Sequence, residues 1–318
     1  MFHSSSFSTS INDDCTAPDY KECNFTTPHL TPSSSASFIS CTFKELTSGN
    51  NGGAIYFSST GTLSIYLSSF DNCNARVKIA EYYGGGAVCV DSGTLVSKLN
   101  TFIHCTTTCW GGAIFGDLSC DSAYLSQCTF LHCKALFGGG LMSFYGPTSS
   151  VFSSRFISCT ASQSGGGMYH DGYTTDSLYI SDCIFTNNCA EYKNNSDSYQ
   201  TRGGGAFEDY RTTTHTSQYS FSFFASNISP SGVGDDISIH DKELSMSSIQ
   251  HCFTTTASHS LWNKKYTGFE NWLPLSNEII MVFDPPVIAT DLSTNKTTYV
   301  VIDIDYHEYV NMHFIFVE

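Results

Sequence analysis

A repeat of about 26–32 residues runs through most of this chain and constrains its fold more than any other feature. One copy is the stretch 111–133: a glycine pair, a strand-like run, a turn, and then Phe130 with Cys133 three residues later. A fixed period of this length is typical of solenoids, in which each repeat is one structural unit that stacks on its neighbours. The chain is therefore expected to form a stack of similar coils.

The repeat has one arc of nearly constant length and one that varies. The phenylalanine position is predicted at Phe43, Phe70, Phe102, Phe130, Phe156, Phe185 and Phe224, and the second glycine at Gly53, Gly86, Gly112, Gly140, Gly167 and Gly205. From glycine to phenylalanine the chain takes 16–19 residues, whereas the return takes 10–20. An extra residue in a packed strand would turn its side chains from one face to the other. The constant arc is thus predicted to be strand, and the insertions 74–83 and 189–202 to be loops on one outer face.

Local composition favours strands over helices. Glycine pairs, β-branched and aromatic residues, and short alternating runs such as Leu63, Ile65 and Leu67 are strand signals. The sequence predicts an all-β parallel β-helix of about seven coils over residues 37–260. Residues 1–36 are predicted to be an irregular Ser/Thr/Pro-rich segment or a cap. Residues 261–318 are predicted to be a short C-terminal β segment, either a cap or the start of a truncated immunoglobulin-like module.

Equal positions of a solenoid lie above one another, so the repeat predicts columns of like side chains. Stacked phenylalanines would supply the apolar core. Three residues further on lies a column of Cys73, Cys105, Cys133, Cys159, Asn188 and Asn227. Asparagines can ladder their amides between coils, and buried thiols fill the same niche. Free, stacked thiols are the expected state. Disulfides along the column are the alternative, since a coil spacing of ~4.8 Å permits them although parallel side chains strain them.

Charge and cysteine spacing exclude several kinds of partner. The net charge is −15, with 14 Lys and Arg and no basic run, so we do not expect nucleic acid to bind. The 14 cysteines lack the CxxC spacing of zinc ribbons, and His104 and His132 recur because they precede repeat cysteines. We therefore expect neither a metal nor a cofactor, apart from the calcium alternative given below.

The sequence gives mixed signals about where the protein resides. Sequons for N-glycosylation begin at Asn24, Asn194, Asn227 and Asn295. Residues 1–23 lack the pattern of a signal peptide, and no apolar run is long enough to span a bilayer. We interpret the sequence as a piece of a longer extracellular or cell-surface protein, attached to a membrane only through segments outside this chain.

Two short motifs alternate over residues 36–256 and carry a resemblance to a known family. The first is GGAIY, GGAVC and GGAIF at 52–56, 85–89 and 111–115, and the second is FDNC, FIHC, FLHC, FISC and FTNN. The alternation resembles the GGA[ILV]/FxxN repeats of the polymorphic outer membrane proteins, which are chlamydial autotransporter adhesins. It is similar to repeats in surface proteins of trichomonad-type protists. Cysteine replaces asparagine in most copies here. The resemblance implies a right-handed parallel β-helix at the cell surface that binds a host protein or glycan and has no catalytic residues.

Carboxylates and tyrosines supply the candidate site residues. Asp91, Asp117, Asp171 and Asp209 each follow a glycine pair, so they would form an acidic row on successive coils. The simplest interpretation is that these side chains bond nearby backbone amides after a strand. Calcium binding and polysaccharide cleavage by paired carboxylates are the alternatives. Tyrosines in the two long loops are candidates for contacting a ligand, namely Tyr82, Tyr83, Tyr192 and Tyr199.

Three functions stay open at this stage. The favoured one is non-catalytic, adhesin-type binding through the two long loops. The second is a polysaccharide-active enzyme, similar to pectin lyases, that uses the aspartate row; it would need a basic residue on the same face, for which Arg155, Arg202 and Arg211 are candidates. The third is a structural stalk that holds another module away from the membrane.

Overall fold

The computed structural model describes residues 15–16, 18–27, 32, 34–76, 84–144, 148–172, 177–191, 203–210, 216–229, 236–240, 249–250, 253–254, 261–264, 270–272, 290–291 and 296–297. These residues form strands, turns and bends, and none of them lies in a helix. Three sheets of mainly parallel strands wind into a β-helix, which confirms the predicted fold class. A two-stranded antiparallel sheet, Thr290–Asp291 with Lys296–Thr297, completes the described part.

The first sheet is the longest, with 16 strands. Its strands pair in parallel from coil to coil, except for one antiparallel pair at each end. Three successive coils each supply one long strand, and later coils supply two shorter ones. The strands are Cys15–Thr16, Asp19–Lys21, Ala36–Ile39, Ile55–Tyr66, Val88–Lys98, Ile114–Ser126, Leu141–Phe144, Thr148–Phe152, Met168–Gly172, Ser177–Ser181, Ala206–Tyr210, Thr216–Ser220, Ile237–His240, Ile249–Gln250, Leu261–Lys264 and Glu270–Trp272.

The second and third sheets are narrower and entirely parallel. The second has nine strands: Asn24–Phe25, Thr42–Lys44, Ser69–Asp71, Thr101–Ile103, Thr129–Leu131, Arg155–Ile157, Ile184–Thr186, Phe223–Ala225 and Phe253–Thr254. The third has six: Thr47–Ser48, Asn74–Ala75, Thr106–Thr107, Lys134–Ala135, Thr160–Ala161 and Cys189–Ala190. Six described coils therefore contribute to all three sheets, close to the seven predicted.

The phenylalanine column is the centre of the core. The rings of Phe25, Phe43, Phe70, Phe102, Phe130, Phe156, Phe185 and Phe224 stack with neighbouring centroids 4.4–5.0 Å apart and planes within 12°. From Phe43 onward each of these side chains is fully buried. Burying such a ring contributes about 1.5–3 kcal/mol, and ring stacking adds about 0.5–1.5 kcal/mol. This column confirms the predicted register of the phenylalanines.

At two of the three corners, the turn uses a non-glycine residue in the left-handed region, and the residue after it is a buried Cys, Ser or Asn except for Leu46. The first corner joins the first sheet to the second and has positive φ at Glu22, Ser40, Leu67, Leu99, Gln127, Ser153, Asp182 and Phe221. The second corner joins the second sheet to the third and has positive φ at Glu45, Asn72, His104, His132, Ser158, Asn187 and Ser226. Such a backbone conformation costs on the order of 1 kcal/mol and persists where surrounding structure determines it.

The cysteine and asparagine column satisfies the backbone at the second corner. Each side chain donates a hydrogen bond to the carbonyl oxygen of the repeat phenylalanine one coil earlier. The Sγ of Cys133 lies 3.5 Å from the Phe102 oxygen, and the Nδ2 of Asn188 lies 2.9 Å from that of Phe156. Cys73, Cys105, Cys159 and Asn227 make the equivalent bond. The column cysteines are buried and not disulfide-bonded. At this corner each coil is therefore bonded to the previous one by a single side-chain donor, which is a thiol in four coils and an amide in two.

The glycine corner joins the third sheet to the first, and here the predicted register is wrong in part. Gly53, Gly86 and Gly112 do form one column, but it continues through Gly139, Gly166 and Gly204. Gly140, Gly167 and Gly205 occupy the place that Ala54, Ala87 and Ala113 hold in earlier coils, as the bond from Ala113 N–H to the Gly140 oxygen shows. Three consecutive glycines made the pair ambiguous in those copies. A Cβ on Gly112 would overlap the carbonyl oxygen of Gly139, which explains why this column excludes every side chain.

Both ends of the β-helix continue beyond the predicted boundaries. Cys15–Thr16 and Asp19–Lys21 form an antiparallel hairpin closed by a Cys15–Cys23 disulfide, which the sequence reading missed. Asp19–Lys21 and Asn24–Phe25 then pair with the first and second sheets, so the described part of 1–36 is a cap and an extra coil. At the other end, Leu261–Lys264 adds in parallel to the first sheet and Glu270–Trp272 adds antiparallel. The sheet therefore crosses the predicted boundary at residue 261.

Candidate binding face on the first sheet

An aromatic column follows the glycine corner on the outer face of the first sheet. Tyr56, Cys89 and Phe115 align from coil to coil, and Tyr169 holds the same position two coils later. Their strand neighbours Ile55, Val88, Ile114 and Met168 belong to the central core. Because side chains alternate along a strand, the aromatic column points away from that core.

Two more aromatic residues, from the glycine corner itself, pack on this column. The ring centroid of Trp110 lies 5.7 Å from that of Phe115 and 6.4 Å from that of Phe137, which in turn lies 5.2 Å from Tyr169. Phe115 and Tyr169 are buried, whereas Tyr56, Trp110 and Phe137 are half-buried. The cluster is thus separate from the core and offers three partly accessible aromatic rings.

The predicted aspartate row begins two residues further along the same strands, where the pairing is irregular. Val90 and Ser92 are partners of Phe57 and Ser58, so Asp91 is an extra residue on its strand. On the other side, Val90 and Ser92 are partners of Gly116 and Ser119, which makes Asp117 part of a second irregularity. β-Bulges of this kind redirect side chains and occur beside functional sites. The Oη of Tyr56 donates a hydrogen bond to Asp91 Oδ2 at 3.2 Å.

The aspartates do not form one continuous row. Asp171 and Asp209 are register partners on adjacent coils, and the pairing continues to His240. Between Asp117 and Asp171 the equivalent position is held by Phe144, whose register partner is Asp171. Asp91 is half-buried, and Asp117 and Asp171 are buried. Burying a carboxylate is costly, so these positions are not ordinary turn residues exposed to water.

Carboxylates of this row raise the pKa of a neighbouring thiol. Burial, followed by the negative charges of Asp117 and Asp91, raises the pKa of the Cys89 thiol well above its usual range. Burial, followed by the negative charges of Asp121 and Asp117, raises the pKa of Cys120 to about 12. A thiol acts as a nucleophile only as the thiolate. Cys89 and Cys120 therefore have the protonation state of packing residues, not of catalytic ones.

The four loop tyrosines, Tyr82, Tyr83, Tyr192 and Tyr199, lie outside the described residues. The residues on either side of the two insertions that contain these tyrosines are described. The first insertion leaves the third sheet after Asn74–Ala75 and rejoins at Gly84, which bridges Trp110. The second leaves after Cys189–Ala190 and rejoins at Gly203. Both insertions therefore enter the first sheet through the glycine corner, beside the aromatic cluster.

The four sequons divide into different environments. Asn24 is exposed on the first strand of the second sheet. Asn227 is only 3% exposed, and its Nδ2 donates to the Phe185 oxygen at 2.9 Å and to Asp236 Oδ1 at 3.0 Å. The prediction of Asn227 as a glycan acceptor is wrong for the folded chain, because its amide is part of the ladder. Asn194 and Asn295 lie outside the described residues.

The residues required for a lyase are not brought together in the described part of the chain. Arg155 lies on the second sheet, in Arg155–Ile157, and not on the face that carries the aspartates. Arg202 and Arg211 lie outside the described residues. No group of three or more His, Cys, Asp or Glu side chains in the described ranges converges as it stands on a position for a metal ion.

Comparison with known proteins leaves the family open. No protein-family model, no curated protein and no solved structure matches this chain. In addition, no helix within the described residues has the length and apolarity required to cross a bilayer.

The aromatic cluster is the part of this face that sequence reading missed. Its members follow a pattern in which a large or apolar residue precedes an aspartate by two positions, as in Phe115 and Asp117 or Tyr169 and Asp171. Reading the aspartates together with their neighbours would have found Phe115 and Tyr169. Trp110 and Phe137 could be placed only once the glycine corner had been located.

Proposed function

We propose that this chain is the β-helix of an extracellular or cell-surface protein that binds a host protein or glycan without catalysis. Its proposed binding face comprises Tyr56, Trp110, Phe137 and Asp91, together with the two insertions that enter at the glycine corner. The observation that carries the proposal is the half-buried aromatic cluster outside the core. Rigid aromatic rings beside polar groups are the residues from which binding sites obtain most of their energy.

Two further features support this proposal. The Cys15–Cys23 disulfide in the cap is of a kind that persists in oxidising compartments, which favours an extracellular location. The resemblance to adhesin repeats extends across the same coils that carry the face. Attachment to a membrane would then depend on segments outside this chain.

Shortening both insertions tests the proposal. Residues 77–83 and 192–201 are replaced by short Gly-Ser linkers, and the purified chain is applied to cultured host cells. We expect attachment to fall at least about tenfold while the β signal in circular dichroism is retained. Leu67→Asn, at an exposed corner far from the insertions, is the control. Unchanged attachment by the shortened chain would contradict the assignment of binding to these insertions.

A polysaccharide-active enzyme is the second candidate, favoured by one observation. Asp171 and Asp209 are register partners on adjacent coils, so their backbones are one strand spacing of ~4.8 Å apart, and retaining glycosidases use two carboxylates on neighbouring positions ~5 Å apart. Incubation with neutral and acidic polysaccharides, followed by assays for reducing ends and unsaturated products, tests it. Activity that disappears in Asp171→Asn and Asp209→Asn would favour the enzyme, and inactivity of the wild-type chain on every polymer would favour the binding protein. A stalk would fail in both the attachment and the activity assay.

A further inference from the structure

Two histidines stand on adjacent coils at the second corner. His104 and His132 both have positive φ, and the backbone N–H of His104 donates to the Leu131 oxygen at 3.0 Å, which fixes their alignment. Their ring centroids lie 5.4 Å apart with planes within 7° of parallel, and both side chains are exposed. The second corner therefore presents two imidazoles side by side to solvent.

A carboxylate lies beside one of these rings. Asp71 Oδ1 is 3.8 Å from Nδ1 of His104. A carboxylate this close to an imidazole adds a negative charge that attracts a cation to the same place.

The fold itself does not require histidine at this corner. Other coils place asparagine or serine at the same position, as at Asn72, Ser158 and Asn187. Asparagine is among the residues that adopt positive φ most readily. The histidines on these two adjacent coils therefore supply imidazole groups that the backbone geometry of the corner does not require.

We propose that His104 and His132 bind a divalent transition metal such as Zn²⁺ through one ring nitrogen each, with the negative charge of Asp71 beside His104 adding to the attraction. Imidazole ligands suit Zn²⁺, Cu²⁺ and Ni²⁺. The parallel rings must turn to bring both nitrogens within ~2.0–2.1 Å of the ion, which exposed side chains do at small cost. The chain's net charge of −15 also favours cation binding. This proposal is independent of the proposed function.

Calorimetric titration of the full chain with ZnCl₂ near neutral pH tests the site. We expect the wild-type chain to bind Zn²⁺, with His104→Asn and His132→Asn each lowering the affinity at least about tenfold. Asparagine is chosen because neighbouring coils use it at this corner, so folding is retained. Asp71→Asn is expected to lower the affinity less than either histidine substitution, because it removes only a nearby negative charge. Gln127→Asn, at the first corner, is the control.

Cobalt provides a second measurement that distinguishes histidine from cysteine ligands. Because the described cysteines other than the Cys15–Cys23 pair are not disulfide-bonded, a metal could be captured by thiols if the chain opened. Co²⁺ bound by imidazoles lacks the strong near-ultraviolet band of a thiolate complex, and we expect no such band. Absence of Zn²⁺ binding, equal affinity in the histidine variants, or a thiolate band with Co²⁺ would each overturn the proposal.

Discussion

In the second sheet, seven consecutive strands from Thr42–Lys44 to Phe223–Ala225 are three residues long, and each has phenylalanine at its centre. In the first sheet, strands of 12, 11 and 13 residues are followed by strands of four and five residues. Its pairing shifts around Asp91 and Asp117. The comparison teaches that stacking of identical side chains fixes one part of each coil, whereas the outer face of the first sheet varies and carries the aromatic and acidic groups.

The largest expected effect concerns the buried thiols of the cysteine column at the second corner. Burial raises the pKa of Cys105, Cys133 and Cys159 well above the usual range, with neighbouring thiols adding to the shift for Cys133 and Cys159. A raised folded-state pKa gives stability that is present below the unfolded pKa, about 8.5, and lost as pH rises toward the folded value. Each such thiol should cost about 1.4 kcal/mol per pH unit above that point.

Urea denaturation over a series of pH values measures this loss. We expect the free energy of unfolding to fall by several kcal/mol within one or two pH units above about 8.5. Cys133→Ala should reduce the slope, and Cys189→Ser, at a half-buried thiol, should change it less. A free energy of unfolding that stays constant over this range would contradict the buried, protonated state of the column.

Removing one ring tests the phenylalanine stack. Phe130 is fully buried between Phe102 and Phe156, with centroids 5.0 and 4.6 Å away. Phe130→Ala should lower the free energy of unfolding by about 3–5 kcal/mol through lost contacts and a cavity. Phe221→Asn is the matched control, because Phe221 is 55% exposed at the first corner. Equal effects of the two substitutions on urea denaturation would contradict the claim that the stacked phenylalanines stabilise the fold more than exposed corner residues do.

Adding one methyl group tests the glycine corner. In Gly112→Ala the new Cβ would meet the backbone of Gly139 and Lys134, so we expect a loss of about 3 kcal/mol in the free energy of unfolding. Gly116→Ala is the control on the same coil, since its Cβ would meet only Cys120 atoms at 3.6 Å or more. A Gly112→Ala protein with wild-type thermal stability would refute the close approach of coils at this corner.

Replacing Asn188 by cysteine tests whether a thiol can take over the hydrogen bonds that an asparagine amide makes in the cysteine and asparagine column. Asn188 accepts from the Cys159 N–H at 2.9 Å and donates to the Phe156 oxygen at 2.9 Å. Asn188→Ala should cost about 1–3 kcal/mol because both backbone groups lose a partner. Asn188→Cys should cost less, since a thiol still donates to the carbonyl as at Cys133. If both variants unfold at the same denaturant concentration, thiols do not replace the amide in this ladder.

The sequence was sufficient for those parts in which identical residues stack. The phenylalanine and cysteine columns were predictable because each position repeats with one chemical type, and a wrong register would bury polar side chains. Where three glycines follow one another, at 138–140, 165–167 and 203–205, spacing alone could not choose the pair, and only backbone bonds between coils resolve it.

The candidate face was predictable only in part. The aspartates and the side on which the insertions emerge could be read from the repeat. The interruption of the aspartate row could not, because the irregularities at Asp91 and Asp117 depend on how three adjacent strands align. Trp110 and Phe137 belong to no repeated motif, and their approach to Phe115 and Tyr169 arises from packing between coils.

The most direct test of the central claim is the attachment of Trp110→Ala to cultured host cells, measured beside Phe221→Asn and the wild-type chain. Circular dichroism and thermal melting verify that both variants are folded. Truncating a central aromatic residue of a binding site typically costs about 2 kcal/mol or more, so we expect attachment of Trp110→Ala to fall roughly thirtyfold. Phe221→Asn should attach like the wild type. Full attachment by folded Trp110→Ala would contradict the assignment of binding to the outer face of the first sheet.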